Sequence, residues 1–407
     1  MRCVAGAVVI MSVGCGSPSE KTPRVTNNSW RATEAWRIEV APPGPVFNFI
    51  APLADGSALV TSTFDGTVSL GGRTFASHGD TDVLVHRISA DGKFLASTQF
   101  GGLGFDLDGP IVTRGDRAYL ALQSKGAITI AGSSFSGDDE KSVTVLVTLD
   151  RNGTPIAACS LDLDAIFTLR MVALRDRDFV VAADTSHDPK PIGALVRVDE
   201  NCVPRWRSTL GTMRVSDLEA AGLDVMVSAV GEDWLGLWQI DATTGRVGAK
   251  HQLTKTRVDF KTDVGNLGAA QRLGDRDIAL GITDGSAVLD GQGFTGGDDH
   301  PFFLTSSPQG ASYVPLLDAA VRVAGSGLVR GTPFFAIEVY EGSKPPDVLP
   351  GMHLIAFGTK PQLLPLYEDG KPLRGNVTFS DQAAWIAGVC DRGSKVPCLA
   401  KVTVTAH

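Results

Sequence analysis

Histidine and cysteine are scarce in this chain, seven and six among 407 residues. The histidines (His78, His86, His187, His251, His300, His353 and His407) share no spacing, so they read as separate surface or turn positions rather than a metal motif. No Gly-x-Ser-x-Gly elbow, His-Glu-x-x-His pair, P-loop or Gly-x-Gly-x-x-Gly occurs, which removes the familiar linear signatures of nucleophilic, zinc and nucleotide chemistry. Basic runs are missing too. The 37 cations and 45 anions leave a net charge of −8 spread along the chain, and nucleic-acid binding needs a clustered basic face. Helical periodicity is nearly absent. Aromatic residues make up 7%, and Trp234 and Trp238, alternating along one strand, read as core before they read as a sugar platform.

What is abundant is glycine, at 46 residues, with 22 prolines: the composition of many short strands joined by turns. One ten-residue pattern occurs three times, at Gly66-Thr-Val-Ser-Leu-Gly-Gly-Arg-Thr-Phe75, Gly126-Ala-Ile-Thr-Ile-Ala-Gly-Ser-Ser-Phe135 and Gly285-Ser-Ala-Val-Leu-Asp-Gly-Gln-Gly-Phe294. The first two copies start 60 residues apart, and the third starts 159 further on, or three steps of 53. A period of that size means one supersecondary unit stacked many times. Each copy opens on a glycine suited to a positive-φ turn, and its closing Phe is expected to cap a contact between units.

Strand signals fill the rest. Asp82-Val-Leu-Val-His-Arg-Ile88, Ser142-Val-Thr-Val-Leu-Val-Thr-Leu149 and Gly193-Ala-Leu-Val-Arg-Val198 are β-branched runs. They end at the turns Asp91-Gly92, Arg151-Asn-Gly153 and Asp199-Glu-Asn201. Four strands with their turns need about 40–50 residues, so the period favours a β-propeller over a sandwich or barrel. Asp82 to Gly102, with its Asp, apolar strand, Asp-Gly turn and Gly101-Gly102, resembles the SBBP-type bacterial β-propeller repeat. Ala96 stands where that family has Trp, and Trp206 restores it in a later copy. The resemblance is clear over about residues 47–212, faint over 213–320, and implies blade shape without any shared catalytic residues.

Six units end near Gly102, Leu161, Gly211, Leu253, Leu317 and Tyr367. The seventh has Gly375–Phe379, Ala383–Cys390 and Cys398–Thr405 but lacks an outer strand. Glu34-Ala-Trp-Arg-Ile-Glu-Val40 can supply it, Trp36-Arg37 matching Trp206-Arg207, which closes the ring and removes exposed sheet edges. The expectation is an all-β, seven-bladed β-propeller closed by an N-terminal strand, with six or eight blades as alternatives. Phe179, Val180, Val181, Phe334, Phe335, Ile337, Trp385 and Ile386 are expected in its core.

Ahead of this domain, residues 1–14 read as a secretory signal, with Arg2 as the positive start and Val4 to Val13 apolar apart from Ser12, too short to span a bilayer. Met11-Ser-Val-Gly-Cys15 resembles the bacterial lipobox, with Ser12 in place of the usual Leu. The resemblance implies acylation of Cys15 and, because Gly16 follows, placement at the outer membrane; an ordinary cleaved signal with an incidental cysteine is the alternative. The division is therefore signal 1–14, flexible tether 15–29 and propeller 30–407.

In an oxidising compartment the four remaining cysteines pair by default. Cys390 and Cys398 face each other across a hairpin, and Cys159 and Cys202 follow by elimination; no second ligand lies at zinc spacing. The acidic stretches Gly79-Asp-Thr-Asp82, Gly137-Asp-Asp-Glu140 and Gly297-Asp-Asp-His300 offer oxygen ligands for a structural Ca²⁺, yet lack regular loop spacing and suit Asx turns better. Asp241-Ala-Thr-Thr-Gly245 resembles a quinoprotein turn in a single copy and reads as a plain turn. Asp106, Asp108, Asp217 and Asp263 stand just ahead of or within inner strands, where a ring of acids can face a channel mouth and draw a cation or basic partner. The functional expectation is a noncatalytic, monomeric, membrane-anchored lipoprotein that binds a protein or glycan and no nucleic acid. The alternative is a propeller hydrolase or lyase with residues gathered from several blades.

Overall fold

A computed structural model describes residues 29–406 apart from 138–141, 162, 164–168, 186–191, 232–233, 255–266, 284–285, 290–291, 296–299, 308–309, 318–320, 341–349, 359–360, 369–370 and 391–395. The described residues form strands and turns with no helix, arranged as seven antiparallel four-stranded blades. Their inner strands are Val46–Pro52, Asp106–Arg114, Leu169–Ala173, Arg214–Ala221, Leu267–Leu273, Val321–Val329 and Arg374–Ser380. Each touches the next, and the seventh touches the first, so the ring closes around a central axis.

Blades 1 to 6 are meanders, as in Val46–Pro52, Ala58–Phe64, Asp82–Ile88 and Phe94–Phe100 of blade 1. Blade 7 takes Arg374–Ser380, Ala383–Val389 and Pro397–Ala406 from the end of the chain and Trp30–Glu39 from its beginning. The last pair runs in register from Trp30 opposite Ala406 to Glu39 opposite Cys398, with Trp36 facing Lys401 across a bulge. Seven blades and closure by the N-terminal strand match the reading of the sequence.

Alternation along the strands explains why the runs are apolar on both faces. Phe179, Val181 and Ala183 pack towards blade 2, whereas Val180 and Ala182 pack towards blade 4. Phe335 and Ile337 face blade 5, and Phe334 and Ala336 face blade 7. A strand with a blade on either side has no solvent face, so period-2 polarity disappears. All eight expected core residues are buried. Each contributes roughly 1.5–3 kcal/mol of burial energy if large and aliphatic or aromatic.

The ten-residue pattern is not the blade itself. It is a hairpin inserted between the second and third strands: Thr67–Leu70 with Arg73–Ala76 in blade 1, Ala127–Ile130 with Ser133–Ser136 in blade 2, and Ser286–Leu289 with Gln292–Thr295 in blade 5. Insertion at one equivalent place preserves the blade period, and blade 2 to blade 5 is three steps. The blade 5 hairpin adds to the outer edge of blade 4, Leu253 pairing with Leu289. Phe135 packs against the cluster shared by blades 1 and 2, as expected of a capping Phe, but Phe75 does not. It closes its own hairpin against Phe64, Val68 and Leu84.

Turns between third and fourth strands tie blades 1 to 4 each to the one before it. Trp36 of blade 7 donates its indole N–H to Ala90 O of blade 1 (2.8 Å) and lies over Gly92, where a Cβ would come within 2.8 Å of the ring. Trp206 of blade 3 repeats this on blade 4, with Ala242 O at 2.8 Å and Gly245 under the ring. Between blades 2 and 3 the tie is covalent. Cys159 bonds to Cys202, which occupies the turn position held elsewhere by glycine, at φ 63°. Cys390 and Cys398 form the second disulfide, inside blade 7.

Candidate functional site

The inner strands bring polar side chains to the ring axis. Register shifts interrupt five of them, between Phe47 and Ile50, Asp108 and Ile111, Val215 and Asp217, Leu267 and Ala269, and Val323 and Gly325. A bulge re-aims side chains and leaves backbone groups unpaired in the ladder, and here neighbouring strands use two of them, Asn48 O and Ser216 O. Asn376 Nδ2 donates to Asn48 O (3.1 Å), and Asn48 Nδ2 donates to Asp108 Oδ1 (2.8 Å). Arg170 Nε donates to Ser216 O (2.6 Å), and Ala270 N donates to Asp217 Oδ2 (3.1 Å). Gln271 Nε2 reaches both Glu219 Oε2 (3.4 Å) and Ser326 Oγ (3.0 Å). Arg322 Nη2 of blade 6 donates to Gly375 O of blade 7 (2.7 Å).

One lone buried acid and one acidic pair result. Asp108 of blade 2 accepts from Thr61 Oγ1 and Asn48 of blade 1, and dense packing pushes its pKa up to about 6 against those two bonds. Asp217 of blade 4 is also pushed up to about 6 by burial; hydrogen bonds from Ala270 N and Leu218 N and the charge of Arg170 oppose the shift. Two residues along the same strand, Glu219 is pushed up to about 8, first by burial and then by the charge of Asp217, with the Gln271 hydrogen bond pulling the other way. Burial lowers the pKa of Arg170. Both carboxyls are raised, Glu219 further than Asp217 because it also feels the Asp217 charge, so two carboxyls of different character stand on one strand. All three acids keep part of their surface open.

The four acids read from the sequence do not form one ring. Asp108 bonds to blade 1 and Asp217 to blade 5, so they stand apart. Asp106 is fully buried off the channel: its Oδ2 accepts from Gly102 N (2.8 Å) and its main chain bonds Thr81, because the connection between blades 1 and 2 has backbone N–H groups to satisfy. Asp263 and Cys15 lie outside the described residues. Glu219 and Arg170 escaped the sequence reading. The i, i+2 spacing of Asp217 and Glu219 was a usable signal, since alternate strand residues share a face; nothing in Leu169-Arg-Met-Val marked Arg170.

The acidic loops differ in what they reveal. Asp82 is buried and accepts from His78 N (3.1 Å) and Gln99 Nε2 (2.6 Å), with His78 Nδ1 at 2.7 Å, a turn-stabilising carboxylate. It accounts for Gly101, where a Cβ would meet the Asp82 carboxyl at 2.1 Å, whereas one on Gly102 would meet Ala127 O of the blade 2 hairpin at 2.0 Å. Asp138–Glu140 and Asp298–Asp299 lie outside the described residues. Asp241 Oδ1 accepts from Thr243 N and Thr244 N (2.9 and 2.8 Å), the plain turn expected. Trp238 is core, as expected, while the side chain of Trp234 lies outside the described residues. His86 and His353, expected at the surface or in turns, are instead buried within strands.

No known family profile and no curated sequence matches this chain. Solved structures do resemble it. The β-propeller domain of the Trilobed protease from Pyrococcus furiosus, described as having an open velcro topology, is 8% identical at a TM-score of 0.52, covering 88% of this chain and 93% of that one. The propeller of Dos1 is 9% identical at 0.49, covering 92% and 94%. Extracellular domains 1–2 of Drosophila Semaphorin 1b are 8% identical at 0.49, covering 92% and 87%. Identities this low speak to fold alone. By its sheet order and its likeness to the Trilobed protease propeller, the chain is a seven-bladed β-propeller.

Proposed function

We propose that this chain is an exported, lipid-anchored propeller that binds a protein or glycan at the cell envelope and catalyses no reaction. The observation that carries this reading is how the channel groups are used: Asn48, Asp108, Arg170, Asp217, Gln271 and Arg322 each bond to the neighbouring inner strand. Side chains engaged in holding the ring are poorly placed to activate a nucleophile. The hairpins of blades 1 and 2, by contrast, expose Thr67, Ser69, Arg73 and Thr74, and Thr129, Ser133, Ser134 and Ser136. Such hydroxyl-rich strands suit hydrogen bonding to glycan or backbone groups. Two disulfides support an extracytoplasmic setting, and the SBBP-like repeat and the lipobox-like Met11–Cys15 support a bacterial envelope lipoprotein.

Mass spectrometry of the N-terminal peptide from a Gram-negative host is expected to find Cys15 acylated; a free thiol there removes the anchor from the reading. For binding, a photo-cross-linker placed at Ser134 is expected to give adducts in intact envelopes, with none from the same probe at Asp91 in a third-to-fourth-strand turn. Turnover of ester or glycoside substrates that Asp217→Asn abolishes would establish the enzymatic alternative instead.

A further inference from the structure

We propose, resting on the lipid anchor at Cys15, that Leu223, Val203 and Trp206 touch the anionic bilayer that holds this anchor, at the rim of the ring opposite the tether. The chain enters the ring at Trp30, opposite Ala406. Thr33 and Ala383 both pair with Thr403, so Trp30 lies at the end of blade 7 where its first strand turns into its second. In blade 1 the third-to-fourth-strand turn falls at that end too, since Ala58 and Phe94 both pair with Ile88. Equivalent residues of successive inner strands meet, as Asn48 meets Asp108 and Gln271 meets Ser326. The strands therefore run side by side, and these turns share one face of the ring. The inserted hairpins, which follow the second strands, stand on the other.

On the turn face, Leu223 is 83% exposed between the first and second strands of blade 4, and Val203 is 50% exposed between the third and fourth strands of blade 3. Single exposed apolar residues need no explanation, but these two flank one half-buried indole. Ala242 N donates to Leu223 O (3.0 Å), and Ala242 O accepts from Trp206 Nε1 (2.8 Å), which joins the two turns. Arg175, Arg177 and Arg246 are exposed on the same rim. Its acids are engaged: Asp176 and Asp178 with Arg197, Asp199 with Arg205, and Asp224 with Arg272. Apolar tips, an indole and surrounding cations are the side chains of an interfacial lipid contact. In a ring of seven, blades 3 and 4 stand opposite blade 7. A tether at one rim and this contact at the other turn the hairpins of blades 1 and 2 away from the bilayer, where a partner reaches them.

In the chain from residue 15 onwards, Cys15 is the one cysteine outside the two disulfides. Its thiol can be coupled to a maleimide-headgroup lipid in vesicles of phosphatidylethanolamine and phosphatidylglycerol, which supplies the attachment whether or not a cell acylates it. A benzophenone amino acid at Leu223 is expected to give about tenfold more lipid adduct than the same probe at Asp91, in the charged turn of blade 1, or at Ser134, on the hairpin face. With the probe at Val203, Leu223→Asp is expected to lower the adduct about tenfold and Leu223→Met to preserve it. Equal yields at Leu223, Asp91 and Ser134, or a Val203 yield that Leu223→Asp leaves unchanged, would overturn the contact. An unmodified Cys15 in a Gram-negative host removes the cellular anchor alone, and these yields still decide the contact.

Discussion

His86 shows how far a single side chain can depart from its sequence neighbourhood. It stands in Asp82–Ile88, a run whose apolar residues serve both faces, so nothing local tells that its ring enters a core. Fully buried, it lies 3.0 Å from Ser62 Oγ and 2.9 Å from Ser97 Oγ, edge-on to Phe47 and Phe94. Desolvation lowers its pKa from 6.5 to about 3. The folded state thus refuses a proton that the unfolded chain accepts below pH 6.5. Stability from this group is whole above that pH and falls as pH drops towards 3. Between pH 7 and pH 4.5 the loss is about 2–3 kcal/mol as an upper bound. Urea denaturation at both pH values is expected to show the unchanged chain losing about 2–3 kcal/mol more than His86→Gln between pH 7 and pH 4.5, because the raised carboxyls Asp108, Asp217 and Glu219 shift both proteins alike in the opposite direction. Equal pH sensitivity in the two proteins would contradict the account. Cys202 makes a second residue-scale prediction. Because it holds a left-handed turn position, Cys159→Ala/Cys202→Gly is expected to be about 1 kcal/mol more stable than Cys159→Ala/Cys202→Ala. Both double variants should fall about 2–4 kcal/mol below the disulfide-bonded protein in reversible unfolding.

At the scale of strands and turns, the repeated features of the sequence acquire separate causes. The Asp-Gly turn and the Trp of the SBBP-like pattern are two halves of one contact, Trp36 on Gly92 and Trp206 on Gly245, made between different blades. Ala96 and Ala157 occupy the matching outer-strand place in blades 1 and 2, and the ties there differ. Arg87 of blade 1 donates to Asn152 of the blade 2 turn (2.7 Å), and the Cys159–Cys202 bond joins blades 2 and 3. Trp36→Ala is expected to cost about 2–4 kcal/mol through lost packing against Gly92 and Trp385, read from thermal or urea unfolding. Removing residues 30–39 has a larger consequence, because it bares the whole edge of Pro397–Ala406. Size-exclusion chromatography is expected to show oligomers or aggregate for that deletion, and a persistent well-folded monomer would mean the strand is not what closes blade 7.

Across the whole molecule, blade number and closure were legible because each strand buries both faces and each unit repeats at about 54 residues. That apolar signal depends only on local order and survives in sequence. The channel did not share this legibility. Asp217 and Ala270 are 53 residues apart, and Gln271 and Ser326 are 55 apart, about one blade each. Their meeting follows from the ring bringing the same bulge of successive inner strands to one axis. Asp106 and Asp108 differ by two residues and read alike, yet one is sealed beneath Gly102 and the other opens towards the axis. The sequence by itself determined strand order, seven-fold repetition, the N-terminal closing strand and the pairing of four cysteines, since those rest on periodicity and on short-range turn chemistry. Only the tertiary structure decided which acids share a site, which histidines are buried and which blade each inserted hairpin packs on, because each of these depends on the face a residue presents after the ring has closed.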